Sequence, residues 1–360
     1  MGTSEKAFFS SPKLAAVWLL LVVSSYAYAN VDAAPSGVSL LWKQDLTAIG
    51  CPAPEVASQF QSTRLAVFPD ENRIVVVTAG PPQKSSSGQL VISTCLLAFE
   101  ATSGKLVAKQ TPQAYRFLLF PTATGRIIFV TKEAILLNSD LRETGVSFDL
   151  PSGRIQHVSP DGTTLAWERR AKDEPGMRML DTNTLKPTGV DLSERTPSTI
   201  TSKYAASTNA IWNQMDQAHR RGSLTTQEGA KPLFLPNCTK AFAVNFLTDE
   251  KMLITCSDSF QVQDLQGHII SEHSFPGKEV RYGGVSRNGK RFVLVLNRRS
   301  KSDPWPTSDE EHLVYDLDRK DIVATVPMQH SSDGTWSAIS PNGDLLLTGS
   351  PDALFVYRIQ

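Results

Sequence analysis

Paired arginines are the side chains in this sequence whose type and spacing most suggest binding chemistry. The pairs are Arg169-Arg170, Arg220-Arg221 and Arg298-Arg299. A guanidinium group donates parallel hydrogen bonds to a carboxylate or a phosphate, so clustered arginines favour an anionic ligand or an acidic partner surface. Acidic residues such as Asp173, Glu174 and Asp303 lie close to the pairs. The alternative is therefore a mixed, solvated surface that contributes no binding energy.

A tryptophan between two prolines adds an aromatic group to this set. Trp305 follows Pro304 and precedes Pro306 in a long polar stretch, residues 297–311. Long loops often carry function, and tryptophan is favoured at binding hot spots. A ring folded down over the neighbouring strands is the alternative. We hypothesise a binding surface with the following members: Arg169, Arg170, Arg220, Arg221, Arg298, Arg299 and Trp305.

Recognisable catalytic and metal-binding motifs are absent from the sequence. The six histidines form no H-x-E, H-E-x-x-H or H-x-x-x-H pattern, and no C-x-x-C occurs. Neither a G-x-S-x-G elbow nor a G-x-x-x-x-G-K-[ST] phosphate loop is present. The sequence therefore indicates no catalytic residue and no metal ligand, and it identifies no cofactor. Ligands gathered from distant parts of the chain stay open as an alternative.

Four cysteines, Cys51, Cys95, Cys238 and Cys256, could form two disulfides in an oxidising compartment. Cys238 and Cys256 flank one strand–turn–strand unit, so we favour a bridge between them. The remaining pair would then be Cys51–Cys95, which ties the start of the first unit to its third strand. Four buried free thiols are the alternative.

The N-terminal residues have the pattern of a targeting segment. Lys6 and Lys13 precede an apolar run, residues 14–23, and small residues end in an A-x-A sequence at Ala29. We predict a signal peptide over residues 1–29, a linker over residues 30–37 and export to the periplasm or the extracellular space. An uncleaved anchor or a buried helix is the alternative.

The amino-acid composition limits the kinds of partner that this chain is expected to bind. The 36 basic and 36 acidic residues balance, so no excess positive charge favours nucleic acid or an anionic membrane. No second long apolar run follows the N-terminal one, and we predict no membrane span after cleavage.

A repeated turn followed by an apolar strand organises the rest of the chain. The clearest copies begin Ser159-Pro160-Asp161-Gly162, Ser286-Arg287-Asn288-Gly289 and Ser340-Pro341-Asn342-Gly343. Proline presets φ, Asp or Asn tolerates the left-handed region, and glycine closes the turn. Seven apolar residues that follow such turns recur about every 45 residues, the spacing of four-stranded propeller blades. They are Ile74, Ile127, Leu165, Ile211, Met252, Phe292 and Leu346.

These motifs predict an all-β fold: a seven-bladed β-propeller over residues 38–360. The last unit ends after one strand, residues 353–359, and an isolated strand, residues 38–43, precedes the first unit. We expect the N-terminal strand to complete the last blade, because a closed ring leaves no exposed edge. The Ser-Pro-Asp-Gly turns resemble those of the WD40-like and YVTN-like seven-bladed propellers. The recurring Gly-His and Trp-Asp marks of true WD40 repeats are not found: Trp-Asp does not occur, and Gly-His occurs once, at Gly267-His268.

The resemblance implies fold more than function. We expect an exported, non-catalytic scaffold that binds a protein or a small-molecule ligand. The alternative is a propeller enzyme of the lactonase or quinoprotein-dehydrogenase type, with its site at the mouth of the central tunnel.

Overall fold

A computed structural model provides the architecture of the chain. It describes residues 35–51, 65–84, 88, 90–114, 117–149, 153–169, 176–191, 201–204, 210–216, 221–226, 229–233, 243–298, 310–328, 336–349 and 353–360. The predicted signal peptide, residues 1–29, lies outside these ranges. No helix among the described residues is long and apolar enough to cross a membrane.

The described secondary structure consists of β-strands and one 3₁₀ turn. The chain begins with β1 (Val38–Asp45), and the 3₁₀ turn (Thr47–Ile49) follows. The first sheet contains β2 (Leu65–Asp70), β3 (Arg73–Lys84), β4 (Leu90–Glu100), β5 (Leu106–Gln110) and the short β6 (Gln113–Ala114). The second contains β7 (Leu118–Pro121), β8 (Ile127–Val130), β9 (Glu133–Leu137) and β10 (Glu143–Asp149).

The following sheets repeat this plan. Sheet 3 contains β11 (Gly153–Val158), β12 (Thr164–Arg169), β13 (Gly176–Asp181) and β14 (Pro187–Asp191). Sheet 4 contains β15 (Thr201–Tyr204), β16 (Ala210–Asp216), β17 (Arg221–Thr226) and β18 (Gly229–Leu233). Sheet 5 contains β19 (Ala243–Phe246), β20 (Lys251–Thr255), β21 (Ser259–Asp264) and β22 (Ile269–Ser274).

Two sheets complete the set. Sheet 6 contains β23 (Lys278–Val285), β24 (Arg291–Arg298), β25 (Glu310–Asp316) and β26 (Asp321–Met328). Sheet 7 contains β27 (Trp336–Ile339), β28 (Leu345–Gly349), β29 (Ala353–Ile359) and the N-terminal β1.

Each sheet is an antiparallel meander, as the repeat predicted. The apolar residues used to align the seven units all lie in the second strand of their sheets, from Ile74 in β3 to Leu346 in β28. The third and fourth strands also pair with each other, for example β4 with β5, β13 with β14, β21 with β22 and β25 with β26. The fold is therefore an all-β propeller.

Apolar contacts join each sheet to the next, so the core lies between the sheets. Separate buried clusters join sheets 1 and 2, 2 and 3, 4 and 5, 5 and 6, and 6 and 7. A further cluster contains Phe68 of sheet 1 with Leu347 and Leu354 of sheet 7. Sheets 3 and 4 meet through β11 and β15. First strands of neighbouring sheets contact one another, as β2 does with β7 and β27, and the turns between first and second strands come together at one end.

β1 pairs with β29 in sheet 7. The register places Leu40 opposite Tyr357 and Trp42 opposite Val356, with an irregularity between them. The indole Nε1 of Trp42 donates a 2.8 Å hydrogen bond to the carbonyl of Ala101 in sheet 1. The N-terminal strand therefore contacts both its own sheet and the next one.

The last residues of the predicted linker are also paired. Ser36 exchanges two backbone hydrogen bonds of 2.9 Å with Thr325 in β26. At Gly37 φ is +65°, and a Cβ there would lie 1.9 Å from the carbonyl oxygen of Val323. Only glycine fits this backbone and this gap. The chain thus contacts sheet 6 before it enters sheet 7.

The disulfide Cys51–Cys95 is present, as predicted, with the two Cα atoms 5.7 Å apart. Cys256 is also disulfide-bonded. Cys238 lies outside the described residues, so its bridge to Cys256 stays a prediction.

Candidate functional site

The repeated serine of the turn is a buried structural residue. In sheets 3, 6 and 7 its hydroxyl donates to the Asp or Asn two residues later and accepts the backbone N–H five residues later. The hydroxyl of Ser159 donates to Asp161 at 2.6 Å, that of Ser286 to Asn288 at 2.7 Å, and that of Ser340 to Asn342 at 2.8 Å. The amides of Thr164, Arg291 and Leu345 each donate at 3.0 Å. These side-chain bonds fix the turn geometry, which explains the Ser-x-Asp/Asn-Gly pattern.

Neighbouring turns are hydrogen-bonded to one another. The amide of Ala123 in sheet 2 donates to the carbonyl of Gly162 in sheet 3 at 2.8 Å. The amide of Asn342 in sheet 7 donates to Oε1 of Glu71 in sheet 1 at 2.6 Å. A third bond runs from the amide of Asn288 in sheet 6 to Pro341 in sheet 7. We call this end of the ring the turn face.

We expect Gly162→Ala to destabilise the protein by about 3 kcal/mol. Its φ is +75°, and a Cβ would lie 2.8 Å from the amide nitrogen of Ala123, a backbone atom that cannot rotate away. Gly145→Ala is the matched control, because Gly145 has φ +77° and nothing within 4 Å; about 1 kcal/mol is expected there. Chemical unfolding of both variants measures the difference, and equal losses would contradict a rigid contact between the turns.

Arg287 crosses the axis of the ring at the turn face. Its Nη2 donates to the carbonyl of Pro69 in sheet 1 at 2.9 Å, and its Nη1 to the carbonyl of Ala123 in sheet 2 at 3.3 Å. Arg287 also lines a cavity of about 260 Å³, whose walls are otherwise mostly apolar. The other members of that lining include Phe68, Phe120, Val158, Val285 and Ile339. One side chain from sheet 6 therefore fills the axial mouth and joins it to two distant sheets.

Three carboxylates act on this guanidinium through their charge. Burial lowers the pKa of Arg287, while the negative charges of Glu71, Asp70 and Asp161 act against that shift. Burial raises the pKa of Glu71, and its bond from the amide of Asn342 opposes the rise. Because three carboxylates influence one cation, the field at the axial mouth favours a positive group.

A second polar group lies between the strands of sheet 6, nearer the opposite end. Arg281 of β23 donates to Glu310 of β25 and to Oδ1 of Asn297 of β24, the latter at 3.1 Å. His312 is fully buried beside them; burial first, and then the charge of Arg281, lowers its pKa to about 3. A neutral imidazole and a paired carboxylate fit a structural network.

The structure places three of the predicted binding residues at equivalent strand ends. Arg169 ends β12, Arg298 ends β24 and Arg221 begins β17, all at the connection between second and third strands. This end is opposite to the turn face. Arg170, Arg220, Arg299 and Trp305 lie outside the described residues, so the proposed surface as a whole stays a prediction.

Sequence reasoning missed Arg287, although the repeat contained a signal for it. Two copies of the turn have proline after serine, Pro160 and Pro341, whereas the copy in sheet 6 has Arg287. A bulky cation at a position that otherwise carries proline indicates a special contact. Its acceptors, however, are 218 and 164 residues away in the chain, beyond the reach of local patterns.

The structure resembles known propellers in fold alone. No protein-family model matches the sequence, and no curated protein is detectably similar to it. A chain from the crystal structure of the mitotic checkpoint complex aligns at a TM-score of 0.52 and 13% identity, covering 92% of this chain and 97% of that one. The crystal structure of the C-terminal WD40 domain of Sif2 aligns at a TM-score of 0.45 and 12% identity, covering 90% of this chain and 98% of that one.

Among the described residues, no group of three or more His, Cys, Asp or Glu side chains is placed to hold a metal ion.

Proposed function

Because the chain has the fold of the WD40-like β-propellers, we propose that it serves as an exported, non-catalytic scaffold that binds a protein partner. The similar chain belongs to a structure of the mitotic checkpoint complex, so a propeller of this kind occurs in a protein assembly. The observation that best supports a scaffold is the way the turn face is built. Arg287 and the turn-to-turn hydrogen bonds hold five sheets, numbers 1, 2, 3, 6 and 7, in fixed positions.

The described axial mouth supports a scaffold over an enzyme that works at the tunnel. In such an enzyme, the side chains at the tunnel mouth must be open to substrate. Here Arg287 occupies the mouth, and Asp161 and Asn342 accept hydrogen bonds within their own turns. These three polar side chains are therefore engaged in structure.

We further propose a ring of seven blades that β1 closes as the outer strand of the last one. The seven sheets and the β1–β29 register support this arrangement. Export with cleavage after Ala29 would leave Ser36 and Gly37 in the mature protein, where both contact sheet 6. N-terminal sequencing of the protein recovered from the exported fraction tests this point, and Asn30 is the expected first residue.

The proposed binding surface is the end opposite to the turn face, where Arg169, Arg221 and Arg298 lie. Its members come from different sheets, so a rigid ring would present them at fixed spacing. Arginines contributed by separate sheets suit an acidic protein surface better than a buried small molecule, because charge complementarity across an interface mainly steers and orients partners.

We expect the combined variant Arg169→Ser, Arg170→Ser, Arg298→Ser and Arg299→Ser to bind its partner about tenfold less tightly, chiefly through slower association. The partner is first captured from the exported fraction by the immobilised wild-type protein, and binding is then measured by surface plasmon resonance over a range of salt concentrations.

The control variant removes the same number of positive charges from the turn face. Exposed basic residues suitable for it are Lys105, Lys186, Lys290 and Arg319. Unchanged binding in the first variant, or an equal loss in the control, would contradict the proposed surface. Substrate turnover by the purified protein would contradict a non-catalytic scaffold.

A further inference from the structure

The contacts of Arg287 describe a receptor for a guanidinium group. The backbone carbonyls of Pro69 and Ala123 accept two of its N–H donors. These acceptors belong to sheets 1 and 2, whereas the donor belongs to sheet 6. Sheets 1 and 2 therefore form the receptor together, and a turn of sheet 6 contributes the guanidinium that occupies it.

The surroundings select a planar cation. Guanidinium carries five N–H donors in a fixed fork and no acceptor, so two convergent carbonyls suit it. The negative charges of Glu71, Asp70 and Asp161 act on the same position and disfavour an anion. Apolar side chains such as Phe68 and Phe120 line the cavity beside it and can cover an aliphatic stem.

We propose that the axial mouth of the turn face is a guanidinium-binding site that Arg287 occupies in cis, and that an arginine side chain of another protein can take its place. The resident arginine then acts as an autoinhibitory contact. Its turn has no proline between Ser286 and Asn288, unlike the turns of sheets 3 and 7. That position is therefore the least constrained of the three, because proline fixes φ.

This inference goes beyond the scaffold function and concerns the opposite end of the ring. A failure of the arginine variants at the strand ends would leave it intact. Failure of the experiment below would likewise leave the scaffold proposal standing.

The test is chemical rescue of Arg287→Ala. Removing the side chain leaves two carbonyls and three carboxylates without their cation, so the melting temperature should fall. Methylguanidinium at millimolar concentration should restore about 2 °C or more, because a ligand that binds the folded state alone stabilises it. Methylammonium, which has the charge without the fork, should restore less. The wild-type protein, whose site is filled, should respond to neither ion at these concentrations.

Two further variants test whether the rescue is specific to the site of Arg287. Arg319→Ala removes an exposed arginine from a turn of the same sheet and should neither lower the melting temperature nor create rescue. Glu71→Gln combined with Arg287→Ala should weaken the rescue, because one carboxylate is neutralised. Equal effects of both ions on Arg287→Ala, or no effect of either, would overturn the proposal. If Arg287→Ala does not fold, recovery of soluble protein by refolding with methylguanidinium but not with methylammonium supports the proposal, and no difference between the two ions overturns it.

Discussion

A chain that begins at Leu46 is expected to lose the native fold, whereas a chain that begins at Pro35 keeps it. The shorter chain lacks β1, which pairs with β29 at seven positions from Val38–Ile359 to Asp45–Ala353. Each lost backbone hydrogen bond costs about 1 kcal/mol, and the total approaches the 5–15 kcal/mol by which domains are stable.

Packing makes the loss larger than the hydrogen bonds alone. Val38 packs against the cluster between sheets 6 and 7, and Leu41 and Trp42 pack against the cluster between sheets 7 and 1. Without β1 both clusters open to water on their outer side. β29 would also become an unpaired edge rich in apolar residues, which favours aggregation.

Circular dichroism, size-exclusion chromatography and limited proteolysis of the two chains check this expectation. The chain that begins at Pro35 is the matched control, because it retains Ser36, Gly37 and all of β1. A chain beginning at Leu46 that stays monomeric and melts cooperatively would contradict a closing role for the N-terminal strand.

The strands could be predicted from sequence because their determinants are local. A turn such as Ser159–Gly162 sets its own geometry through bonds within a few residues. The run that follows, Leu165 to Trp167, carries the apolar side chains of a buried strand. Both signals lie within one short stretch of sequence. The repeat therefore located the second strand of each sheet correctly, even where its copy of the turn sequence is poorly preserved.

The axial site could not be predicted in the same way. Its acceptors are backbone carbonyls of Pro69 and Ala123, which every residue has and no sequence pattern marks. Only the fold brings them within reach of Arg287. The predicted arginines show a different limit. The sequence pattern located the strand ends that carry Arg169 and Arg298, but a local pattern does not determine the direction in which such side chains point.

The pairing of Ser36 with Thr325 was missed for a similar reason. Residues 30–37 are small and polar, a composition typical of linkers. The need for glycine at position 37 comes from the carbonyl of Val323 in another sheet. A contact of this kind leaves no trace in composition.

Replacing both members of the Cys51–Cys95 disulfide with alanine is expected to destabilise the protein by about 4 kcal/mol in the chain-entropy model. The bond closes a loop with a sequence separation of 44 residues, and such a constraint chiefly limits the unfolded chain. Both side chains are buried in the cluster between sheets 7 and 1, at 7% and 0% exposure. Alanine suits this apolar site better than serine, which would bury an unpaired hydroxyl.

The position of the bond makes the effect specific to the region around β1. Cys51 follows the segment that leaves β1, and Cys95 lies in β4, the third strand of sheet 1. The disulfide therefore ties the segment that follows β1 to the neighbouring sheet, and its loss should loosen β1 before the rest. Urea unfolding measures the total loss, and hydrogen exchange should show the amides of β1 exchanging faster than those of β20 in sheet 5. A loss below about 1 kcal/mol, or uniform acceleration in all sheets, would contradict this role, because a constraint on the unfolded chain must appear in the free energy of unfolding.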